Sequence, residues 1–421
     1  IPLRLVGSEM CIRDRNRSVV INKKEIKMGT VIKNVKLVLP KGKIIRGTIK
    51  WDKGKIVSVS EGEILSSVED QVIDGMDLYL SPGFIDLHTH GGGGYDFMDG
   101  TVEAFLKSAE MHAKHGTTSL LPTTLTSTNE ELYLMFEIYK IAKSCNHIGA
   151  SFVGLHLEGP YFSFNQRGAQ DPKYLKKPSP EEYIKILDAS DDIVRWSLAP
   201  ELDGALDMGR ELCRRKILPS IAHTDAIYEE TIKAYQVGFR HITHLYSGMS
   251  TIIRRNAFRY AGVLEAAYML DDMTVEIIAD GVHLPKSLLQ YVYKFKGPER
   301  IALITDSMRG AGMPDGPSIL GSVKDGQPVI VEDGVAKLLD RTAFAGSVAT
   351  ADRLVRTMIQ VAEVPLTDAV RMMTETPARI IGIDHKKGAI SVGMDADLVL
   401  FDDNINICMT IVEGNIVYNV L

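Results

Sequence analysis

Two hydrophobic periodicities divide the chain. Residues 29–71 alternate apolar and polar side chains in the runs TVIKNVKLVL, KIIRGTIKW and KIVSVS, which PKG, DKG and EGE turns separate. A period of two turns one face of each run toward a core, the pattern of half-buried strands. These strands make too small a sheet to stand alone. The segments GAISVGMDADLVLFD and INICMTIVEGNIVYN near the other end carry the same pattern, with turns at 392–394 and 413–415. One small β-sandwich built from both ends, residues 28–81 and 386–421, is therefore expected.

Between them the pattern changes to strand, loop, helix, repeated. The apolar runs predict strands at 84–90, 118–125, 151–158, 193–200, 218–223, 241–246, 274–279 and 301–306. TVEAFLKSAEMHAKHG places apolar residues on a helical period and ends at Gly116. Ser179-Pro180-Glu181-Glu182 offers an N-cap, a first-turn proline and a capping-box glutamate. Further helices are expected at 225–237, closed by Gly238, and at 349–362 and 367–373. Strands that alternate with helices across residues 82–385 predict an α/β fold, a parallel (β/α)8 TIM-type barrel. A doubly wound open sheet is the alternative. It lacks the GxGxxG turn that such sheets place after their first strand.

Composition narrows the function classes. The 421 residues are 45% apolar and 24% charged, with a net charge of −6. That balance gives no electrostatic case for a nucleic-acid or anionic-membrane partner. No stretch approaches the ~20 apolar residues of a membrane span. Cys11, Cys145, Cys213 and Cys408 are far apart and form no CxxC pair. They read as incidental thiols of a reducing compartment, so a cytoplasmic protein is expected. Residues 1–27 look foreign to the rest. LVGSEMCIRDR reads as translated adapter sequence, and Met28 is a plausible start, so 1–27 are taken as a non-native or disordered leader.

The chemistry concentrates at predicted strand ends. In SPGFIDLHTHGGGG, alternation along a strand points His88 and His90 to the same side, and the glycines that follow let backbone come close. Downstream, Glu158 ends the third strand in HLEGP, His223 ends the fifth, His244 ends the sixth in HITH, and Asp306 ends the eighth in ITD. A barrel carries its chemistry on this rim. A single histidine or carboxylate at a strand end is commonly structural, but these groups at five strands argue for a site. Mixed imidazole and carboxylate donors suit zinc, iron or manganese. His156 and His241 share strand faces with Glu158 and Thr243 and read as supporting or core polar residues, not ligands. Gly91–Gly94 has no following Lys-Ser/Thr and is not a phosphate loop.

PGFIDLHTHG, HLEGPYF, AHTDA, THLYSGMS, ADGVHLP, ITDSM and AGS occur in this order. On these motifs the chain resembles the N-acetylglucosamine-6-phosphate deacetylase branch of the amidohydrolase superfamily, from about Met28 to the C-terminus. HxEGP on the third strand combined with ITD on the eighth marks the branch; HxH alone marks only the superfamily. The resemblance implies a metal-dependent hydrolase acting on the acetyl amide of a small phosphorylated amino sugar, in a homodimer. It assigns Glu158, His223 and His244 as metal ligands. His88 and His90 match a pair found in only some members, so one or two divalent ions per chain are expected: zinc first, with iron, manganese or cobalt as alternatives. It makes Asp306 the catalytic acid–base. It also assigns Ala169, Ser247, Gly248, Arg255, His283, Phe344 and Ala345 to the substrate, with Arg255 reaching the neighbouring subunit's site. Ser247-Gly248 stands where the branch often has Asn-Ala, and Gln170 where many members have His. An N-acyl-amino-acid deacylase, another amidohydrolase, or a non-catalytic barrel are the competing classes. The last predicts loss of a ligand or of the acid–base residue, and none is lost.

Overall fold

The computed structural model describes residues 29–62 and 70–421; the expected leader, 1–27, lies outside them. Strands from both ends share one eight-stranded sheet. Its order is Asn415–Asn419, Ile407–Val412, Leu398–Phe401, Tyr79–Pro82, Thr30–Leu39, Lys43–Asp52 and Lys55–Glu61, with Gln71–Asp74 also paired to Thr30–Leu39. The two ends meet where Leu398–Phe401 runs antiparallel to Tyr79–Pro82, with Leu398 opposite Pro82 and Leu400 opposite Leu80. Alternation makes this pairing stable. Ile32, Leu37, Ile49, Trp51, Leu80, Leu398, Leu400 and Ile411 all turn to one buried cluster. Trp51 Nε1 donates to the Gly414 carbonyl at 3.0 Å and ties the ends a second time.

The middle of the chain builds a curled parallel sheet. Phe84–Thr89, Thr117–Pro122 and Ser151–Phe152 pair in parallel, and so do Leu155–Glu158, Ile193–Leu198, Leu218–Ile221, His241–Ile242, Thr274–Ile277 and Ile301–Leu303. Parallel bridges Thr123 to His156 and Thr89 to Ser307 join the two sets at both edges. Helices fill the connections, among them Val102–Lys114, Asn129–Cys145, Pro180–Ala189, Ala205–Arg214 and Lys286–Lys296. Their apolar faces bury Phe105, Phe136, Leu187, Leu212 and Leu289 in the main core. Among the described residues, no helix is long and apolar enough to cross a membrane.

The structure departs from the sequence expectations at several points. The third strand is broken at Gly154, whose φ of 147° is outside the extended range of other residues. The fifth, sixth and eighth strands stop at Ile221, Ile242 and Leu303, short of their expected ends. His223, His244 and Asp306 follow with φ of 45°, 28° and 47°, a left-handed conformation outside the extended range of a regular strand. The expected capping box at Ser179 does not form: the Ser179 hydroxyl donates to Glu181 and caps no backbone N–H. The helix expected from 225 begins at Tyr228. Asp225 is held back in the loop, where it accepts from Ser163 Oγ at 2.6 Å, Asn165 Nδ2 at 3.0 Å and Gln166 Nε2 at 2.7 Å.

Several β elements were not anticipated, among them the strands Gln71–Asp74 and Tyr79–Pro82, a short hairpin of Gly91–Gly92 and Tyr95–Asp96, and two larger features. One is a four-stranded antiparallel sheet of Gly316–Leu320, Gln327–Glu332, Val335–Leu338 and Phe344–Ser347. The other is a hairpin of Ile253–Arg255 and Phe258–Tyr260.

The join between the chain ends is open to direct test. Leu400 is fully buried in the cluster that links them. Leu400→Ala should cost about 2–5 kcal/mol of unfolding free energy in a urea titration. A loss within a few tenths of a kcal/mol would show that the two ends do not share a core.

Candidate metal centre and active site

The strand ends converge on the Glu158 carboxylate. His244 Nε2 lies 3.1 Å and His223 Nε2 3.4 Å from its Oε1. His88 Nε2 is 3.5 Å from the same oxygen, and His90 Nε2 is 3.5 Å from Oε2. Two triads of metal-compatible donors share Glu158: His88 with His90, and His223 with His244, each set within 4.8 Å. All five side chains are buried.

Two of the four rings are oriented from behind. His223 Nδ1 lies 2.7 Å from the Gln166 carbonyl and His90 Nδ1 3.3 Å from the Thr123 carbonyl. A carbonyl only accepts, so in both rings Nδ1 carries a proton and Nε2 is the atom turned toward the carboxylate. His88 Nε2 and His90 Nε2 stand 3.3 Å apart, two nitrogens of one kind aimed at a single point. Four such nitrogens, once unprotonated, and one carboxylate fit a divalent cation. Gln170 fixes the carboxylate itself. Its Nε2 donates to Glu158 Oε2 at 2.8 Å while its Oε1 accepts from the Thr126 N–H at 3.0 Å. Burial raises the Glu158 pKa, but His88, His223 and His244 outweigh it and hold the carboxyl well below its usual value. Asp306 Oδ1 lies 3.2 Å from His90 Nε2 and 3.3 Å from His88 Nε2. Burial opposes its charge, and His88, His90 and His244 together lower its pKa from the ordinary aspartate value.

The cluster opens into a cavity of about 310 Å³ whose lining includes Ala169, Gln170, Ser247, Gly248, His283 and Phe344. That volume is at the lower end of small-ligand sites. Asp280 Oδ2 holds His283 Nδ1 at 2.8 Å and Phe344 packs on its ring at 4.7 Å. As the chain is folded here, Gly248 leaves no room for a side chain: at its φ of 57°, an added Cβ would stand 2.8 Å from His223 Nδ1 and 2.7 Å from the Gln166 oxygen, so the ring or the carbonyl would have to shift.

The remaining expected residues lie elsewhere. Ala345 turns away from the cavity into the core beneath the antiparallel sheet, with Met308, Val329 and Val331. Arg255 sits on the exposed hairpin and is absent from this chain's own cavity lining. His156 and His241 lie below the cluster. His156 Nε2 meets Ser197 Oγ at 2.7 Å, and His241 Nε2 faces Glu276 at 3.1 Å.

Sequence reasoning missed Asp280, Glu276 and Arg195, and treated Gln170 only as a departure from a pattern. A signal was present for two of them. Arg195 in IVRWSL and Glu276 in TVEI are single charges inside strands expected to be buried on both faces.

Residues 79–417 match the amidohydrolase family. The chain belongs to this family. Among amidohydrolases of named activity, N-acetylglucosamine-6-phosphate deacetylase of Bacillus subtilis is 32% identical over 392 residues, 92% of this chain and 97% of the relative. N-acetylgalactosamine-6-phosphate deacetylase of Escherichia coli O157:H7 is 32% identical over 340 residues, 80% of this chain and 87% of that relative. The structure of a mutant N-acetyl-D-glucosamine-6-phosphate deacetylase from Mycobacterium smegmatis, in complex with N-acetyl-D-glucosamine-6-phosphate, aligns with a TM-score of 0.83 at 30% identity. It covers 93% of this chain and 99% of its own.

Gly248→Ala tests the orientation of His223. The added methyl must push on the ring or on the Gln166 carbonyl that fixes it. Titration with Zn²⁺ should show weaker binding by roughly 10–100-fold, the usual effect of losing such a support. Wild-type affinity in the folded variant would show that the Gln166 contact does not orient the ring.

Proposed function

We propose that this chain hydrolyses the N-acetyl group of N-acetylglucosamine 6-phosphate to glucosamine 6-phosphate and acetate, in amino-sugar catabolism and recycling. The observation that carries the reading is the convergence of Glu158, His223, His244, His88, His90 and Asp306 on one cavity that Ser247, Gly248 and His283 also line. The named activities of the relatives support it. The parallel strand order, closed by the Thr89–Ser307 bridge, supports a (β/α)8 barrel, with the sheet of both chain ends as a flanking β-sandwich.

Glu158, His223 and His244 are the proposed ligands of one divalent ion, and His88, His90 and the shared Glu158 those of a second. Zinc is the first choice for this donor set, with iron, manganese and cobalt behind it. When bound, such an ion lowers the pKa of water from about 15.7 to roughly 7 and polarises an amide carbonyl. The chain's own residues do the rest. Asp306, an unprotonated carboxylate at the cavity wall, accepts a proton from the attacking water as its oxygen bonds to the acetyl carbon. It returns that proton to the amide nitrogen, so the C–N bond breaks with a neutral amine leaving. His283, fixed by Asp280, and the Ser247-Gly248 segment hold the sugar phosphate, with Ala169 and Phe344 completing the contacts; Ala345, turned into the core, makes none.

Arg255 is proposed to clamp phosphate in a neighbouring subunit's cavity, which its place on an exposed hairpin supports. A charged sugar phosphate does not cross a bilayer, so a cytoplasmic location suits this substrate.

The relative acting on N-acetylgalactosamine 6-phosphate, together with Ser247-Gly248 and Gln170, favours a second reading: a deacetylase of that or another amino-sugar phosphate. Acetate release should be measured from N-acetylglucosamine 6-phosphate, N-acetylgalactosamine 6-phosphate and unphosphorylated N-acetylglucosamine. The first should have the highest kcat/KM. Preference for the second compound would select the second reading, and indifference to phosphate would refute both.

Asp306→Asn should lower kcat by at least the ~10²–10⁴-fold typical of a lost acid–base group, with metal content and KM near wild type. Glu158→Gln should instead lose metal first and recover partly when metal is in excess. An Asp306→Asn protein stripped of metal, or one that keeps more than about a tenth of its turnover, contradicts the acid–base role.

Mixed dimers of an Arg255→Ala chain and an Asp306→Asn chain should recover activity that neither parent has. No recovery in verified mixed dimers would place both groups in one chain's site.

A further inference from the structure

We infer that Glu276 is a positioning residue for His88, and that the ion proposed to bind His88, His90 and Glu158 depends on it. The inference rests on the two-ion reading above. It concerns the floor of the site, which the reaction itself does not use.

His88 offers Nε2 to the cluster, 3.5 Å from Glu158 and 3.3 Å from Asp306. For that nitrogen to ligate, the proton must sit on Nδ1. Nδ1 is buried and has no hydrogen-bond partner at normal length. A proton-bearing nitrogen buried without an acceptor is costly. The acceptor facing it is Glu276 Oε2, at 3.6 Å. Closing that gap to hydrogen-bond length takes a movement of a few tenths of an ångström. The result is a carboxylate–imidazole–cation line, the arrangement that fixes a ligating histidine's tautomer and orientation.

Glu276 is itself held firmly. It is fully buried on Thr274–Ile277. Arg195 engages both its oxygens, through Nη1 to Oε1 and through Nη2 to Oε2 at 2.8 Å. His241 Nε2 lies 3.1 Å from Oε1. Arg195 is anchored in turn by donating to Ser220 Oγ at 3.0 Å, the Leu87 carbonyl at 3.2 Å and Thr243 Oγ1 at 2.7 Å. The Leu87 contact ties this network to the strand that carries His88. A buried ion pair of this kind adds little net stability, so its geometry is the better reason for its presence. The other triad is touched only at the main chain, where the His244 N–H donates to Glu276 Oε2 at 3.4 Å.

The test is a titration of the metal-stripped full chain with Co²⁺, followed by calorimetry and by visible absorption. Wild type should bind two ions. Glu276→Asp keeps a charge for Arg195 but withdraws the carboxylate from His88, and Glu276→Gln keeps the shape without the charge. Both should retain the first ion's affinity and weaken the second by about 10–100-fold. In a His88→Ala background, which removes the second site, Glu276→Asp should change nothing further. Unchanged affinities in folded Glu276→Asp would overturn the proposal. So would weakening of the first ion that persists without His88, which would assign Glu276 to the fold in general. Failure of both variants to fold would have the same meaning. A wild-type chain that binds one ion would overturn the proposal together with the two-ion reading, while the deacetylase reading would still be judged by acetate release.

Discussion

The Glu158 carboxylate is the constraint from which the site follows. A buried carboxylate without partners is costly, and in practice it protonates or finds positive partners. Here four imidazole Nε2 atoms and one amide N–H surround it. No single segment could deliver them, because they come from the ends of the first, fifth and sixth parallel strands and from a loop, to a carboxylate on the third. A parallel sheet delivers them at once, since all of its strands end on the same side. Glu158 also belongs to both donor triads, so any shift of its side chain is felt by both.

That convergence has a conformational cost, which the neighbouring backbone absorbs. His223, His244 and Asp306 all lie in the left-handed region, at a cost of order 1–3 kcal/mol each. Hydrogen bonds from neighbouring elements hold each turn or the residue beside it. The Asp306 N–H donates to the His88 carbonyl at 2.8 Å, and the Asp306 carbonyl accepts from Ser347 at 2.7 Å. The His223 carbonyl accepts from the Ser163 N–H at 2.9 Å, and the Leu245 N–H donates to the Glu276 carbonyl at 2.8 Å beside His244. The turn out of each strand re-aims the side chain from the sheet surface to its mouth. Left-handed turns occur elsewhere in the chain, but these three sit where side chains converge, and holding them there pre-organises the site.

This geometry explains what could be read from sequence and what could not. The order of strands and helices was legible because each strand is a nearly continuous apolar run and each helix keeps its own period. The histidines and carboxylates were legible because they follow those runs directly. Strand ends were not, because a left-handed turn at a histidine leaves no trace in a hydrophobic pattern; the turn is held there by hydrogen bonds from neighbouring elements. The sheet at 316–347 was missed for another reason. Its strands are four to six residues long and half exposed, so their pattern is hard to tell from loop. Ser179 shows the limit of motif reading: its sequence fits a capping box, but a nearer carboxylate takes the hydroxyl. Ala345 is legible in a motif, yet its side chain faces away from the cavity, because Phe344 and Ala345 are neighbours on one strand and alternate.

In the proposed reading, chemistry and selectivity are carried by different parts of this fold. The converging groups sit on strand ends whose positions are fixed by the sheet and by a buried polar floor, where substitution disturbs several partners together. The residues proposed to meet the sugar phosphate sit on segments between elements or on an edge: Ser247-Gly248 after a bend, His283 beside the Asp280 turn, Phe344 at the start of an edge strand and 41% exposed. Such positions tolerate change because little else depends on them. Gly248 is the exception, since its missing side chain leaves room for His223 and its bond to Gln166. The same residue pair therefore faces two ways: Ser247 lines the cavity proposed for the sugar phosphate, while Gly248 packs against the histidine behind it.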